Sequence, residues 1–430
     1  MIEKIKKVIK SDFVKVFSFT GLSTLIKLIT SYVSVKVVAS IIGPSGIALI
    51  GQLQNFSSIF TTLGAGGINN GVVKYVSEFK EEETELQKYL RNGFKITVYF
   101  SFFFGLLLVF FSNQISKWIL LDKQYNYVFI YFGVTLFMLS LNNYFLSIIN
   151  GFKEFKIFVI INIITSIIGL LFTIILVFLY QLKGALIATV TYQSVILFVT
   201  FFFLRKTPWF NTKILWGKWN KDIVKKYLYY SLMALVSAAT VPVSQLLIRG
   251  FLIKKLSIDS AGYWEGMNRI SGLYLLFVTT SFSVYYLPKL SEIKTQVLLK
   301  KEIIKTYKII TPIIVISLIL IFLLKNLVIN VLFTKEFYPM KDLFFWQLLG
   351  DFFKIMSWIL AFVMVAKSMT KIYIFTEIIF SVLVVLLSYV FVNMNGVIGA
   401  TQSYCVNYFI YFIVMLFLFR KLLFTKNKKI

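Results

Sequence analysis

Long apolar runs separated by short polar gaps dominate the chain. About twelve of these runs reach the roughly 20 mainly apolar residues that a transmembrane helix needs. The runs lack the two-residue alternation of membrane β-strands and are too long for them, so the pattern predicts helices. The predicted spans are 13–42, 47–76, 92–112, 125–149, 155–180, 184–204, 226–253, 260–288, 306–333, 340–366, 370–393 and 395–419.

The longest hydrophilic gap, at residues 205–225, lies almost midway along the chain. It predicts two halves, residues 1–210 and residues 211–430, with six spans in each. Gly46 recurs as Gly262 at an offset of about half the chain, as duplicated transporter halves would produce. The sequence therefore predicts an all-α integral membrane protein with about 12 transmembrane helices.

The composition supports this class and excludes several kinds of site. Of the 430 residues, 58% are hydrophobic and 15% are charged, which places most of the chain in lipid. A single cysteine, Cys405, excludes a disulfide framework, and the lack of histidine removes histidine zinc sites and general bases. We expect neither a metal nor a cofactor.

A glycine-rich run at residues 64–71 could suggest a phosphate-binding loop. Val72 and Val73 stand where such a loop requires lysine and a hydroxyl residue, so nucleotide binding is not predicted. Clustered small residues instead favour close helix packing or a broken helix.

The net charge of +27 is explained by membrane topology better than by nucleic-acid binding. Lysine and arginine are confined to short gaps, and every second gap is rich in them. Because cytoplasmic loops carry this excess, both termini are predicted to be cytoplasmic. The cation-rich stretches are residues 4–10, 205–226, 289–305 and 420–429.

Charges inside predicted spans are candidate functional residues, because each is costly at bilayer depth. Lys27 lies near the middle of the first span among serines and threonines, where it either faces a cavity or pairs structurally between helices. Lys36 either faces the same cavity or snorkels to the interface. Gln54 and Asn55 add polar groups to the second span.

The second half carries further charges inside its spans. Glu265 and Arg269 stand four residues apart, so they can neutralise each other on one helix face. Asp351 and Lys354 share another face and form either a ligand site or a buried structural pair. Glu377 has no partner nearby on its own helix, which makes it a candidate coupling carboxylate.

Cations outnumber acids at these depths, which favours an anionic substrate. Lysine and arginine form charge-assisted hydrogen bonds with phosphate oxygens, and a pyrophosphate group crossing the bilayer would need such partners. The abundant tyrosine and tryptophan fit either sugar stacking or interfacial belts.

Four segments resemble the Wzx flippases, in the polysaccharide branch of the multidrug/oligosaccharidyl-lipid/polysaccharide exporter superfamily. Their order is collinear across both halves, and the resemblance runs over essentially the whole chain. The segments are 43–46 (Gly-Pro-Ser-Gly), the glycine run at 64–71 with the following Lys-Tyr-Val at 74–76, 281–288 (Ser-Phe-Ser-Val-Tyr-Tyr-Leu-Pro) and 346–354 (Trp-Gln-Leu-Leu-Gly-Asp-Phe-Phe-Lys).

The resemblance implies two six-helix bundles around a central cavity that work by alternating access. It implies a non-enzymatic flippase of the bacterial inner membrane, which moves an undecaprenyl-pyrophosphate-linked oligosaccharide of the O-antigen or common-antigen type from the cytoplasmic to the periplasmic leaflet. Besides this cargo and membrane lipids, expected partners are a glycan polymerase and a chain-length regulator. Lys27, Lys36, Asp351 and Lys354 fall where similar proteins carry the same residue types.

These observations predict two sets of site residues, with no metal ligand in either. A multidrug or cation antiporter of the same superfamily remains an alternative, and would carry an acidic cavity. A membrane glycan polymerase or ligase is a further alternative, and would need catalytic groups near the outer surface. The predicted substrate-binding residues are Lys27, Lys36, Gln54, Asn55, Arg269, Asp351 and Lys354, and the predicted coupling residues are Glu265 and Glu377.

Overall fold

The computed structural model describes residues 12–207, 210, 218–367 and 369–424, and within these ranges the chain is helical with no β-strand. The all-α prediction is therefore confirmed for the described chain. The α-helices are α1 (Asp12–Gly64), α2 (Asn69–Phe79), α3 (Glu83–Phe110), α4 (Ser112–Ile119), α5 (Asn126–Gly151), α6 (Phe155–Leu204), α7 (Lys221–Lys255), α8 (Ile258–Ser281), α9 (Leu287–Glu292), α10 (Gln296–Leu323), α11 (Lys325–Leu332), α12 (Phe344–Ala366), α13 (Thr370–Asn395), α14 (Val397–Leu418) and α15 (Arg420–Phe424).

Nine helices of the described chain are long and apolar enough to cross a membrane. One of them, α6, has 50 residues, and a helix of that length would extend about 75 Å, far more than one bilayer crossing of about 30 Å. Its path breaks at Gln181, which has non-helical backbone angles (φ 48°, ψ −126°). The break falls where the sequence separates the fifth and sixth spans. The total of twelve spans stays a prediction.

Helix α1 has a similar break where the sequence separates the first and second spans. Gly43 has a φ of 64° and a ψ of −169°, a conformation that glycine adopts readily because it lacks a Cβ atom, and Pro44 follows it. The glycine-rich run then ends α1 at Gly64. Gly67, with a φ of 64°, packs against the backbone of Ser231. The run therefore both breaks the helix and allows close packing.

The described residues form two compact units. The first contains residues up to Ile41 together with Leu49–Val243, and the second contains Ile42–Ala48 and the residues from Ser244 onward. The predicted division between residues 210 and 211 falls at the edge of residues 211–217, which lie outside the described ranges. That division stays a prediction. Residues 1–11 and 425–430, on which the predicted orientation depends, also lie outside these ranges.

The core of the first unit depends on close contact among α2, α3, α5 and the first part of α7. Gly105 on α3 and Gly133 on α5 face each other so closely that a Cβ atom on either would lie 2.6 Å from the carbonyl oxygen of the other. The buried Tyr144 donates a hydrogen bond to the carbonyl of Leu90 at 2.6 Å. This bond satisfies the buried Tyr144 hydroxyl and joins α5 to α3.

In the second unit, α8, α10, α12 and α14 share an apolar core. Tyr307 on α10 donates to the carbonyl of Met356 on α12 at 2.8 Å. The segment Ile42–Ala48 packs in this unit, because Gly262 on α8 leaves room for the backbone of Pro44 where any larger side chain would overlap it. These contacts fix the α8 and α12 faces that carry the charged side chains described below.

Candidate functional site

In the first unit, Lys27 is exposed on α1 between the exposed apolar side chains Leu25 and Ile29. Within the described part of the chain, its ammonium group has no hydrogen-bond or ion-pair partner. The neighbouring Thr30 hydroxyl does not bond the Lys27 ammonium, because it donates to the carbonyl of Ile26 on its own helix at 2.9 Å. Lys27 is therefore an uncompensated cation at this position.

The other predicted residues of the first unit are Lys36, Gln54 and Asn55. Lys36 is half-buried on α1, and Gln54 is exposed while Asn55 is half-buried after the Gly43 break. Ser58 donates to the carbonyl of Asn55 at 3.0 Å, so this hydroxyl, like that of Thr30, bonds the backbone of its own helix.

In the second unit, Glu265 lies between two guanidinium groups. Its Oε1 is 3.1 Å from Nε of Arg269, which confirms that this i,i+4 pair forms on α8, and its Oε2 accepts from Nη2 of Arg249 on α7. Arg249 is 1% exposed, and its guanidinium carbon lies 5.4 Å from the ring centroid of Trp264. These three charged residues, the arginine–glutamate cluster, carry two positive charges for one negative charge.

Arg249 was not among the predicted site residues. Its position in the sequence offered a signal, because four apolar or small residues (Gly-Phe-Leu-Ile) separate it from the flanking Lys254 and Lys255. An arginine one turn inside an apolar run either snorkels or finds a buried partner. Its partner lies on another helix, and spacing along the chain does not reveal it.

Asp351 on α12 is fully buried and accepts hydrogen bonds from three hydroxyl groups. Ser271 Oγ lies 2.7 Å from Oδ2, where the Tyr274 hydroxyl also donates, and the Tyr404 hydroxyl lies 2.6 Å from Oδ1. Gln347 Nε2 extends the network to Ser271 at 3.1 Å. Because its lone pairs are occupied from α8 and α14, this carboxylate joins three helices.

Lys354 lies one turn after Asp351, yet no ion pair within 4.0 Å joins the two in the described chain. The Lys354 ammonium instead lies over three aromatic rings, 5.3 Å from the centroids of Trp358 and Tyr404 and 4.8 Å from that of Tyr408. All four side chains are half-buried. The cation is stabilised by the ring faces, and both Asp351 and Glu377 interact with it electrostatically from beyond 4.0 Å.

Glu377 is half-buried on α13. Across the described residues it has neither a hydrogen-bond partner nor an ion-pair partner. The other two acidic residues predicted inside the spans of this unit are bonded, Glu265 by arginines and Asp351 by hydroxyls. Glu377 is bonded by neither kind of group. The described ranges contain no group of three or more acidic, cysteine or histidine side chains placed to hold a metal ion.

The arginine–glutamate cluster favours an anion over a cation as a ligand. It carries two positive charges for one negative charge, and Arg269 retains partial exposure. A charge at membrane depth is retained where it serves a ligand or a partner. Guanidinium and ammonium groups supply charge-assisted hydrogen bonds to phosphate and carboxylate oxygens.

Sequence comparisons identify a family and relatives of the chain. A family model described as "Polysaccharide biosynthesis protein" matches residues 13–294. The chain is similar to the curated protein "Lipid III flippase" of Escherichia coli (strain K12), with 27% identity over 394 residues, which cover 92% of this chain and 95% of that protein.

Solved structures show the fold. An inward-facing multidrug resistance MATE family transporter of the MOP superfamily matches with a TM-score of 0.78 and 12% identity, covering 93% of this chain and 98% of that one. The lipid II flippase MurJ in an inward closed conformation matches with a TM-score of 0.72 and 14% identity, covering 95% and 87%. The chain has the fold of these multi-span membrane transporters.

Proposed function

Because the chain belongs to the polysaccharide biosynthesis protein family, we propose that it flips a lipid-linked oligosaccharide across the bacterial inner membrane. The flippase similarity extends over nearly the full length of both proteins, and the chain has many helices able to span a membrane. On this account the protein is a transporter and not an enzyme.

The proposed cargo is an oligosaccharide of the O-antigen or common-antigen type linked to undecaprenyl pyrophosphate. It moves from the cytoplasmic to the periplasmic leaflet by alternating access, through a protein whose two termini are cytoplasmic. The positive-inside distribution of lysine and arginine supports that orientation. A glycan polymerase and a chain-length regulator are the proposed protein partners.

One observation carries the proposal: the arginine–glutamate cluster holds one more positive than negative charge inside the second unit. A pyrophosphate headgroup loses its hydration in the membrane, and guanidinium groups replace the lost hydrogen bonds with charge-assisted ones. Arg269, with a side chain 16% exposed, is the most exposed member of the cluster and therefore the proposed ligand contact. In the same unit, Lys354 is a proposed contact to the glycan, whereas Asp351, predicted as a contact, is fully buried and is proposed to hold Tyr404 in place.

In the first unit, we assign the exposed Lys27 and the half-buried Lys36 to the anionic headgroup. Gln54 and Asn55 are assigned to hydrogen bonds with sugar hydroxyls, since amides both donate and accept. Ion coupling is assigned to Glu377, which makes no hydrogen bond and no ion pair within 4.0 Å in the described chain, and to Glu265, whose charge can be shared between its arginine partners and a bound cation.

Complementation tests the proposal directly. Escherichia coli lacking its lipid III flippase is to be transformed with this chain, with Arg269→Gln or with Lys325→Met, a lysine variant outside the proposed site. Extraction and mass spectrometry then measure the accumulated lipid-linked oligosaccharide. The chain and Lys325→Met are expected to clear it, and Arg269→Gln to leave at least about half. Efflux of a cationic dye without any clearance would instead indicate the multidrug antiporter.

A further inference from the structure

Three lysines form a stripe along the first turns of α10. At about 100° of rotation per residue, Lys301, Lys305 and Lys308 fall within an arc of about 60° on the helix surface. All three are exposed. Leu299 and Ile303 lie on the opposite side of the helix and are buried in the apolar core of the second unit. The α10 lysine stripe, as these three lysines are called below, therefore faces away from that core.

Exposed aliphatic side chains flank the stripe on both sides. Val297 and Ile304 lie on one side and are 53% and 38% exposed, and Leu298 and Ile309 lie on the other and are 54% and 49% exposed. Aliphatic surface is unfavourable in water and favours contact with lipid chains. The lysines between these flanks therefore lie at a lipid surface, since a helix face solvated by water alone would be polar throughout.

The length of α10 places the stripe at the level of the lipid headgroups. The helix has 28 residues and is about 42 Å long, whereas the hydrocarbon core of a bilayer is about 30 Å thick. The excess of about 12 Å corresponds to about eight residues. It falls at the first end of the helix, because the lysines are there and no charged residue lies between Ile313 and Leu323. Lysines at this depth extend their ammonium groups toward the lipid phosphates.

The charge around the stripe is positive after the nearby acids are counted. Residues 289–308 contain six lysines and two glutamates, Glu292 and Glu302. Neither glutamate forms an ion pair within 4.0 Å in the described chain, and two such charges can offset only two of the six lysines. The short helix α15 packs against α10 and adds the exposed Arg420. An anion is therefore the ligand that this surface favours.

We propose that the α10 lysine stripe binds the headgroup of an anionic glycerophospholipid. The lysine ammonium groups donate to the lipid phosphate, and the two aliphatic flanks contact the two acyl chains on either side of the stripe. A polyprenyl carrier has a single chain and matches this pair of flanks less well. A zwitterionic headgroup carries its own ammonium group, so it gains less from the lysines. The site is separate from the proposed cargo contacts and does not depend on the proposed function.

The test compares two lipids that share their acyl chains and their phosphate and differ in net charge. Dioleoyl phosphatidylglycerol or dioleoyl phosphatidylethanolamine is titrated into the full-length protein in detergent. Native mass spectrometry measures the dissociation constant of the first bound lipid in each titration. The readout is the ratio of the two constants within one preparation, which does not depend on the folded fraction of protein.

The wild-type chain is expected to bind phosphatidylglycerol at least about tenfold more tightly, since each lysine near an anionic headgroup contributes roughly fivefold. The triple variant Lys301→Gln, Lys305→Gln and Lys308→Gln should lower this preference to about threefold or less. The triple variant with arginine at the same three positions keeps the charge and should keep the preference. Its result separates the loss of charge from a disturbance of the helix.

The matched control removes the same charge from three exposed lysines of the first unit, in the triple variant Lys117→Gln, Lys123→Gln and Lys183→Gln. It should keep the wild-type ratio. Equal wild-type constants for the two lipids, or equal losses of preference in the two glutamine variants, would overturn the inference. Displacement of bound phosphatidylglycerol by an equal concentration of inorganic phosphate or of undecaprenyl phosphate would also overturn it, because the ligand would then be a free anion or the carrier lipid.

Discussion

Arg249 on α7 and Glu265 on α8 form a buried ion pair that joins two helices of the second unit. Arg249 is 1% exposed, so removing Glu265 would leave the guanidinium group of Arg249 with little access to water. Loss of one member of such a pair typically costs about 3–5 kcal/mol, because the remaining charge stays buried. The pair therefore affects both the stability of the second unit and the electrostatic potential at Arg269.

Arg249→Met is expected to destabilise the protein by about 1–3 kcal/mol, because Glu265 loses a buried charge-assisted hydrogen bond and keeps only the more exposed Arg269. The measurement is thermal unfolding of the purified protein in detergent. Lys325→Met serves as the control and should unfold within about a degree of the wild type, because its ring contact is half-exposed. Equal unfolding temperatures for the two variants would contradict a structural role for Arg249.

Arg269→Gln should separate function from stability. Its side chain is 16% exposed and shares Glu265 with Arg249, so the carboxylate keeps a partner after the substitution. We expect a stability loss of about 1 kcal/mol or less and a transport rate lowered by about tenfold or more. Transport at the wild-type rate would remove Arg269 from the proposed ligand contacts.

Tyr404→Phe tests the Asp351 network. The substitution deletes the hydroxyl that donates to Oδ1 at 2.6 Å and leaves the ring in place. A buried acceptor deprived of its donor costs about 1–3 kcal/mol. Tyr408→Phe is the matched control, because the Tyr408 hydroxyl makes no hydrogen bond within the described chain. Unfolding should shift in the first variant and stay nearly constant in the second.

Gly133→Ala tests the contact between α3 and α5. The added Cβ atom would lie 2.6 Å from the Gly105 carbonyl oxygen and 2.8 Å from Cγ2 of Val109, so the helices must separate. We expect a loss of about 1–3 kcal/mol, as overpacking usually costs. Gly272→Ala has no atom within 4 Å of the new Cβ and should leave stability unchanged or raise it by up to about 1 kcal/mol. A smaller loss in Gly133→Ala than in Gly272→Ala would refute the close contact.

The features that could be predicted from the sequence are those that depend on residues close together along one helix. Apolar runs predicted the helices, and the four-residue spacing of Glu265 and Arg269 predicted their ion pair. The apolar runs lack the two-residue alternation of apolar and polar side chains that marks strands. Periodicity alone therefore predicted the fold class.

Contacts between helices were not predictable in the same way. The pairing of Arg249 with Glu265, and of Tyr404 with Asp351, depends on which helix faces pack together. The possible Asp351–Lys354 pair illustrates the limit. Spacing allows it, but the hydroxyls of α8 and α14 occupy the carboxylate and the rings of α12 and α14 surround the ammonium.

The central claim is that this chain moves a lipid-linked oligosaccharide between leaflets, with the basic residues of the second unit holding its anionic groups. The most direct measurement is the transfer of an undecaprenyl-pyrophosphate-linked oligosaccharide in vesicles containing only the purified protein. The account predicts transfer well above that of protein-free vesicles and a loss of about tenfold or more in Arg269→Gln. Transfer equal to that of protein-free vesicles would contradict it.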